Sequence, residues 1–312
     1  MTGVESRFST SFWTQLRDSD VGYGFLRSPS AMVSAFVSGL SILAAALAPW
    51  IAPHNPFDPA TYSLSDGFLP PFWIEGGSAN YLLGTDGHGR DVFSSILYGA
   101  RISLAVGLSA VLLAAGIGIL LGLVAGYFGG YVDAAIMRIA DVQLTFPAIL
   151  AAMLIDGIAR AVLPREAHAH IAIYVVIFAI GISNWVQYAR TVRGSTLVEK
   201  GKEYVQAARV MGQSTVVILL RHVLPNVLGP ALVIATIGLA LAILTEATLS
   251  FLGLGLSATQ ASLGTLIRVG NDYLFSGEWW ITIFPGAALI AIVLSVNVLG
   301  DWLRDVLNPR LR

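Results

Sequence analysis

Long uncharged runs alternate with short charged stretches along this chain. Residues 30–52, 102–127, 171–189 and 279–300 hold no Asp, Glu, Lys or Arg, and 227–252 holds only Glu246. Each run is long enough to cross a bilayer as a helix, which takes about 20 apolar residues. A sixth candidate, 134–156, carries Arg138 and Asp141 in its first half; three apart, they share a helix face and can pair there. The pattern predicts an all-α, polytopic membrane protein with six transmembrane helices.

Lys and Arg placement orients the spans. With the N-terminus inside, segments 1–29, 128–133, 190–226 and 301–312 hold twelve basic residues, and 53–101, 157–170 and 253–278 hold five. The bias predicts both termini in the cytoplasm. The first 28 residues are polar and contain Arg7, Arg17 and Arg27, so they read as an uncleaved cytoplasmic tail rather than a signal peptide. The expected division is a tail over 1–29, a first span with a long outer loop over 30–100, a core over 101–300 and a cytoplasmic tail over 301–312.

Composition agrees with lipid as the solvent. Apolar residues make up 55% of the 312 and charged residues 12%, with mean hydropathy +0.73; soluble domains carry about 25% charged residues. A net charge of −1 gives no basic excess for nucleic acid. With no cysteine, disulfides, thiolate metal sites and thiol nucleophiles are excluded. No P-loop, GxSxG or HExxH pattern occurs, so the chain reads as a non-enzyme that binds no cofactor. His168 and His170, two apart in an outer loop, read as a solvated pair rather than metal ligands.

Several local features carry structural expectations. Gly118, Gly122, Gly126 and Gly130 recur every four residues, which lines one face of the second span for close helix approach, within the chain or to another subunit. Pro147, Pro230 and Pro285 mark kinks. Gly84, Gly87 and Gly89 fit no phosphate-loop spacing; they read as a turn capping the second span, with local ion pairs among Asp86, Arg90, Asp91 and Arg101.

The segment EYVQAARVMGQSTVVILLRHVLPN, residues 203–226, is charged and small-residue-rich between two apolar spans. Tyr204, Ala207, Ala208 and Met211 fall at helical spacing, with Lys202, Gln206 and Arg209 pointing elsewhere, which predicts a short amphipathic helix. Spacing alone leaves open whether it rests on lipid or docks on a protein. Gly212 can end it or bend the chain.

The stretch resembles the cytoplasmic EAA loop of ABC importer permeases. Ala207 and Ala208 match its two alanines, Gly212 its glycine, and Leu224 with Pro225 its ending; Gln206 stands where the pattern has Glu, and His222 where it has Ile. LGTDGHGRDVFSSILYGARISL, GLVAGYFGGYVDAAIMRIAD, LTEATLSFLGLGL and GDWLRDVLNPRLR are similar to blocks of the C-type permeases of dipeptide, oligopeptide and nickel importers, so the resemblance runs over about residues 30–312. It implies a type I ABC importer permease fold in the bacterial inner membrane, with a coupling loop at about 190–226 and a coupling helix over 203–217. It also implies a second permease subunit, two ATPase subunits that hold ATP and Mg, and a periplasmic substrate-binding protein. Glu203, Tyr204, Ala207, Ala208, Met211, Gly212, Leu224 and Pro225 are then the ATPase-coupling residues. Peptides are the implied cargo, nickel or another small solute the alternative. A stand-alone carrier would place several ionisable groups at membrane depth; Glu246 is the clear case here. Three settings stay open for it: a structural partner, a position on the translocation pathway, or solvation near the interface.

Overall fold

The computed structural model describes residues 20–162, 164–254 and 260–307. Every segment that the uncharged runs mark is helical, because a backbone in lipid must satisfy its own hydrogen bonds. After a short helix α1 (Asp20–Arg27), α2 (Pro29–Ala46) starts at Ser28, whose hydroxyl accepts from the Ala31 amide. A loop then leads to α3 (Val92–Phe128), α4 (Gly130–Leu144), α5 (Ala148–Val162) and α6 (Arg165–Glu199). The short α7 (Glu203–Val210) precedes α8 (Thr215–Phe251), α9 (Leu263–Asn271) and α10 (Trp280–Leu307). The helices α2, α3, α8, α10 and the Ile171–Glu199 part of α6 are long and apolar enough to cross a membrane.

The sixth span differs from its expectation. It is no single helix over 134–156 but the pair α4 and α5, bent by 89° at their junction. Pro147 sits in the break, where it has no N–H to donate and disfavours helical geometry at the residue before it. Arg138 and Asp141 do not pair with each other. The Asp141 carboxylate accepts from Arg190 of α6 at 2.6 Å, because α4 packs along α6 and brings a guanidinium within its reach. Asp133 pairs likewise with Arg193, one turn further along α6.

Helix α3 begins at Val92, ten residues before the uncharged run. The Asp91 carboxylate caps it, accepting from the Ser94 amide at 2.9 Å. Asp86 accepts from the amides of His88 and Arg90 and pairs with the Arg90 side chain at 2.7 Å, while Trp280 Nε1 donates to the Thr85 carbonyl. The glycine-rich stretch is thus a hydrogen-bonded cap, as expected. Arg101 is a correction: it lies inside α3, exposed, and among the described residues makes no ion pair with Asp86 or Asp91. The expected loop over 157–170 is also shorter, since α5 runs to Val162 and α6 starts at Arg165. Positions 168 and 170 are thereby helical; their side chains lie outside the described residues.

The core of the bundle is the contact between α3 and α6. A Cβ on Gly118 would fall 2.5 Å from the Trp185 carbonyl oxygen, one on Gly122 2.5 Å from the Ala189 carbonyl oxygen, and one on Gly126 2.7 Å from Thr196 Cβ. Three of the four repeated glycines therefore serve packing within the chain. Gly130 does not: it lies past the end of α3 as the first residue of α4, where Gly129 and Gly130 both have positive φ (68° and 54°). Next to this contact, Gln143 of α4 accepts from Trp185 Nε1 at 2.6 Å and donates to the Ile182 carbonyl.

Gly122→Val is expected to lower the stability of the purified protein by about 1–3 kcal/mol, the usual cost of overpacking. Gly116→Val, at a position where a Cβ meets nothing within 4 Å, should change it little. Thermal denaturation of both variants in detergent checks the pair; equal melting temperatures would contradict the close α3–α6 contact.

Candidate functional site

At one end of the bundle α6 gives way to α7, and the turn between them is closely held. Lys200 Nζ donates to the carbonyl of Gly126 at 2.7 Å, placing a cation on the exposed C-terminal carbonyls of α3. Lys202 Nζ lies 2.8 Å from Glu199. Helix α7 turns Val205 and Ala208 inward, both fully buried, against Leu123, Val192, Ile218, Val223 and Val227. It ends in a double C-cap in which the Gln213 amide donates to the Ala208 carbonyl and the Gly212 amide to that of Arg209. This motif needs a left-handed residue, and Gly212 supplies it with φ 75°.

The expected coupling helix over 203–217 is therefore two pieces. Gly212 stops the first, and the Ser214 hydroxyl caps the second, accepting from the Val217 amide. A π-helical turn over Ile218–Val223 follows, two residues before Pro225, which has no amide N–H for the regular ladder. The second correction concerns the face. Tyr204, Ala207, Ala208 and Met211 do not act as one stripe. Ala208 packs inward with Val205, whereas Ala207, Val210 and Met211 stay exposed. The buried pair three residues apart sets the rotation of the helix, and those two residues match the apolar side chains of α3, α6 and α8.

Beside α7, at the surface, lies a polar network. The Tyr204 hydroxyl donates to Glu199 and accepts from Asn226 Nδ2 at 3.1 Å; Asn226 Nδ2 also donates to the His222 carbonyl at 2.7 Å. Burial and the Glu199 carboxylate push the Tyr204 phenol up to about 12. Gln206 Nε2 donates to the Lys200 carbonyl at 3.1 Å, a bond that a glutamate could not make, and His222 Nε2 lies 2.8 Å from Gln213 Oε1. Both departures from the EAA pattern thus have partners here. Glu203 is exposed in the first turn of α7, Leu224 half-buried and Pro225 exposed. Sequence reasoning missed Val205, Glu199 and Asn226. The three-residue spacing of Val205 and Ala208 was the available signal; nothing in sequence marks Glu199 or Asn226.

Glu246 is fully buried in α8. Its carboxylate accepts from Ser103 of α3 at 2.8 Å and from Ser250 at 2.7 Å, and Ser262, the cap of α9, also bonds it. Of the three settings open at the sequence level, this geometry matches a hydroxyl-bonded structural partner. It joins α3, α8 and α9, and burying a carboxylate is tolerable only with such partners.

The sequence profile of the binding-protein-dependent transport system inner membrane component matches residues 118–312, and that of the N-terminal TM domain of oligopeptide transport permease C matches residues 19–71. The chain belongs to this ABC importer permease family. It is 38% identical over 288 residues to the dipeptide transport system permease protein DppC of Haemophilus influenzae, covering 92% of this chain and 93% of that one. Against the oligopeptide transport system permease protein OppC of Bacillus subtilis it is 36% identical over 307 residues, covering 98% and 92%. The inward-facing MetNI methionine ABC transporter shares the fold, with a TM-score of 0.51 at 20% identity over 67% of this chain and 94% of that one. The protein is thus a multi-pass permease of the inner membrane, and its fold is the type I importer fold.

Ala208→Leu should destabilise the purified permease by about 1–3 kcal/mol, because the site is fully packed. Ala207→Leu should leave stability within about 0.5 kcal/mol, as for other exposed positions. Thermal melts of the two variants decide, and the reverse order would overturn the rotation of α7. Glu246→Ala should reduce the yield of folded protein sharply, while Glu246→Gln, which keeps an acceptor for the serines, should not; size-exclusion profiles after mild solubilisation report the difference.

Proposed function

We propose that this permease imports dipeptides and oligopeptides, with α7 as the element through which partner ATPases drive it. The cargo is supported by the relatives, which match nearly end to end and are named for dipeptide and oligopeptide transport. The observation that carries the coupling role is the exposed face of α7: Ala207, Val210, Met211 and Gly212 form a small-residue and apolar surface on a helix pinned firmly from behind. Glu203 begins that surface, while Tyr204, Ala208 and Leu224 hold α7 in place and Pro225 shapes the start of the next span. A helix that docks transmits only the free-energy difference between its contacts in two states, so a rigid mount suits it.

In this reading the α7 end and both termini face the cytoplasm, as the basic-residue bias predicts. A second permease completes the pathway, two ATPase subunits bind ATP and Mg, and a periplasmic binding protein delivers the peptide. This chain itself catalyses nothing and binds no cofactor.

The test is uptake of a labelled dipeptide into proteoliposomes holding the whole complex, with the binding protein added on the delivery side. Uptake should require ATP. Uptake without ATP, or transport of nickel with none of peptide, would contradict the reading. Ala207→Trp should fold normally yet weaken docking by about ten- to a hundredfold, the equivalent of about 1–3 kcal/mol, and transport should fall accordingly. Glu246→Gln examines the pathway setting: selective loss of substrates with a free amine would place the carboxylate on the path, and normal transport would leave it structural.

A further inference from the structure

We infer that Tyr204 and Asn226 form a latch that forces α7 to move together with both long helices flanking it. The inference rests on the coupling role of α7 and goes beyond it by naming how the motion leaves the docking element. Three pieces of chain meet at one oxygen. The Tyr204 hydroxyl, on α7, donates to the carboxylate of Glu199, the last residue of α6. The same oxygen accepts from Asn226 of α8 at 3.1 Å. Asn226 is fastened in turn to the His222 carbonyl at 2.7 Å, in the π-helical turn. Glu199 is buried and is held from its other oxygen by Lys202 at 2.8 Å.

The covalent connections there are short turns, hydrogen-bonded along the backbone, and the latch adds a side-chain tie across both. Lys200, Gly201 and Lys202 link α6 to α7, and residues 211–214, with Gly212 among them, link α7 to α8. Two short glycine-containing linkers would let α7 pivot about Val205 and Ala208 when pulled. A phenol bonded on both sides removes that pivot. Its donor role is charge-assisted, and its acceptor role uses the lone pair that remains. Tyr204 is a positioning residue: it touches no cargo, and its ring borders the outward surface of α7 while its hydroxyl turns back to Glu199 and Asn226. The two chain-specific bonds nearby, Gln206 to the Lys200 carbonyl and His222 to Gln213, brace the same two linkers.

The experiment uses the complete complex with Tyr204→Phe, Asn226→Ala and the double variant, reading peptide transported per ATP hydrolysed and amide hydrogen exchange across 203–210. Tyr204→Phe should lower the transport ratio and raise exchange in α7 by about tenfold, the scale of one hydrogen bond to a charged acceptor. Asn226→Ala should do less, and the double variant should be no worse than Tyr204→Phe alone, since all act through one oxygen. Additive effects, or a wild-type ratio with wild-type exchange in Tyr204→Phe, would overturn the latch. So would variants that lose yield while the complex that does assemble keeps the wild-type ratio. The exchange arm separates this inference from the importer reading: were the wild-type complex to carry no peptide, faster exchange in Tyr204→Phe would still register the latch.

Discussion

The structure depends on how closely α3 and α6 approach. Gly118, Gly122 and Gly126 bring backbone against backbone along three turns, and each would meet its neighbour below normal contact distance if it carried a Cβ. That approach puts Lys200 within reach of the last carbonyls of α3. It also opens the small apolar recess, walled by Leu123, Val192 and Val223, that receives Val205 and Ala208. Without the glycines the recess would sit elsewhere, and α7 with it.

Charge is handled at the same end by pairing across helices. Asp133 with Arg193 and Asp141 with Arg190 tie α4 to α6, and Gln143 adds a neutral bond to Trp185 one turn further on. The exposed Asp141–Arg190 pair is worth little alone, and the Asp133–Arg193 pair is half-buried. Their contribution is to fix the angle at which α4 leaves before the chain turns through 89° into α5. Glu246, between α3, α8 and α9, solves the corresponding problem with hydroxyls instead of a cation.

Much of this was legible in the sequence, and the misses have physical causes. Five of the six spans follow from runs of about 20 residues with no charge or, over 227–252, a single one, but the bend at Pro147 does not, because hydropathy averages over it. The glycine spacing predicted a close face correctly as far as Gly126; a residue count cannot show that Phe128 ends the helix. Helix α7 was foreseen in its start and type, but it was expected to run to 217 and stops before Gly212, and its rotation was misjudged by treating Ala207 and Ala208 alike. Only the partners on α3, α6 and α8 decide which alanine turns inward. The latch was invisible for the same reason, since Glu199, Tyr204 and Asn226 meet through tertiary contact alone.

The central claim is that the exposed face of α7 meets an ATPase rather than lipid. Val210, 89% exposed on that face, offers the direct measurement, because the native chain has no cysteine. A Val210→Cys permease labelled with a photoactivatable maleimide would be illuminated within the native membrane and its adducts identified by mass spectrometry. The account predicts a cross-link to an ATPase subunit, which a bulky residue at position 207 weakens. An adduct with phospholipid as the main product would contradict it.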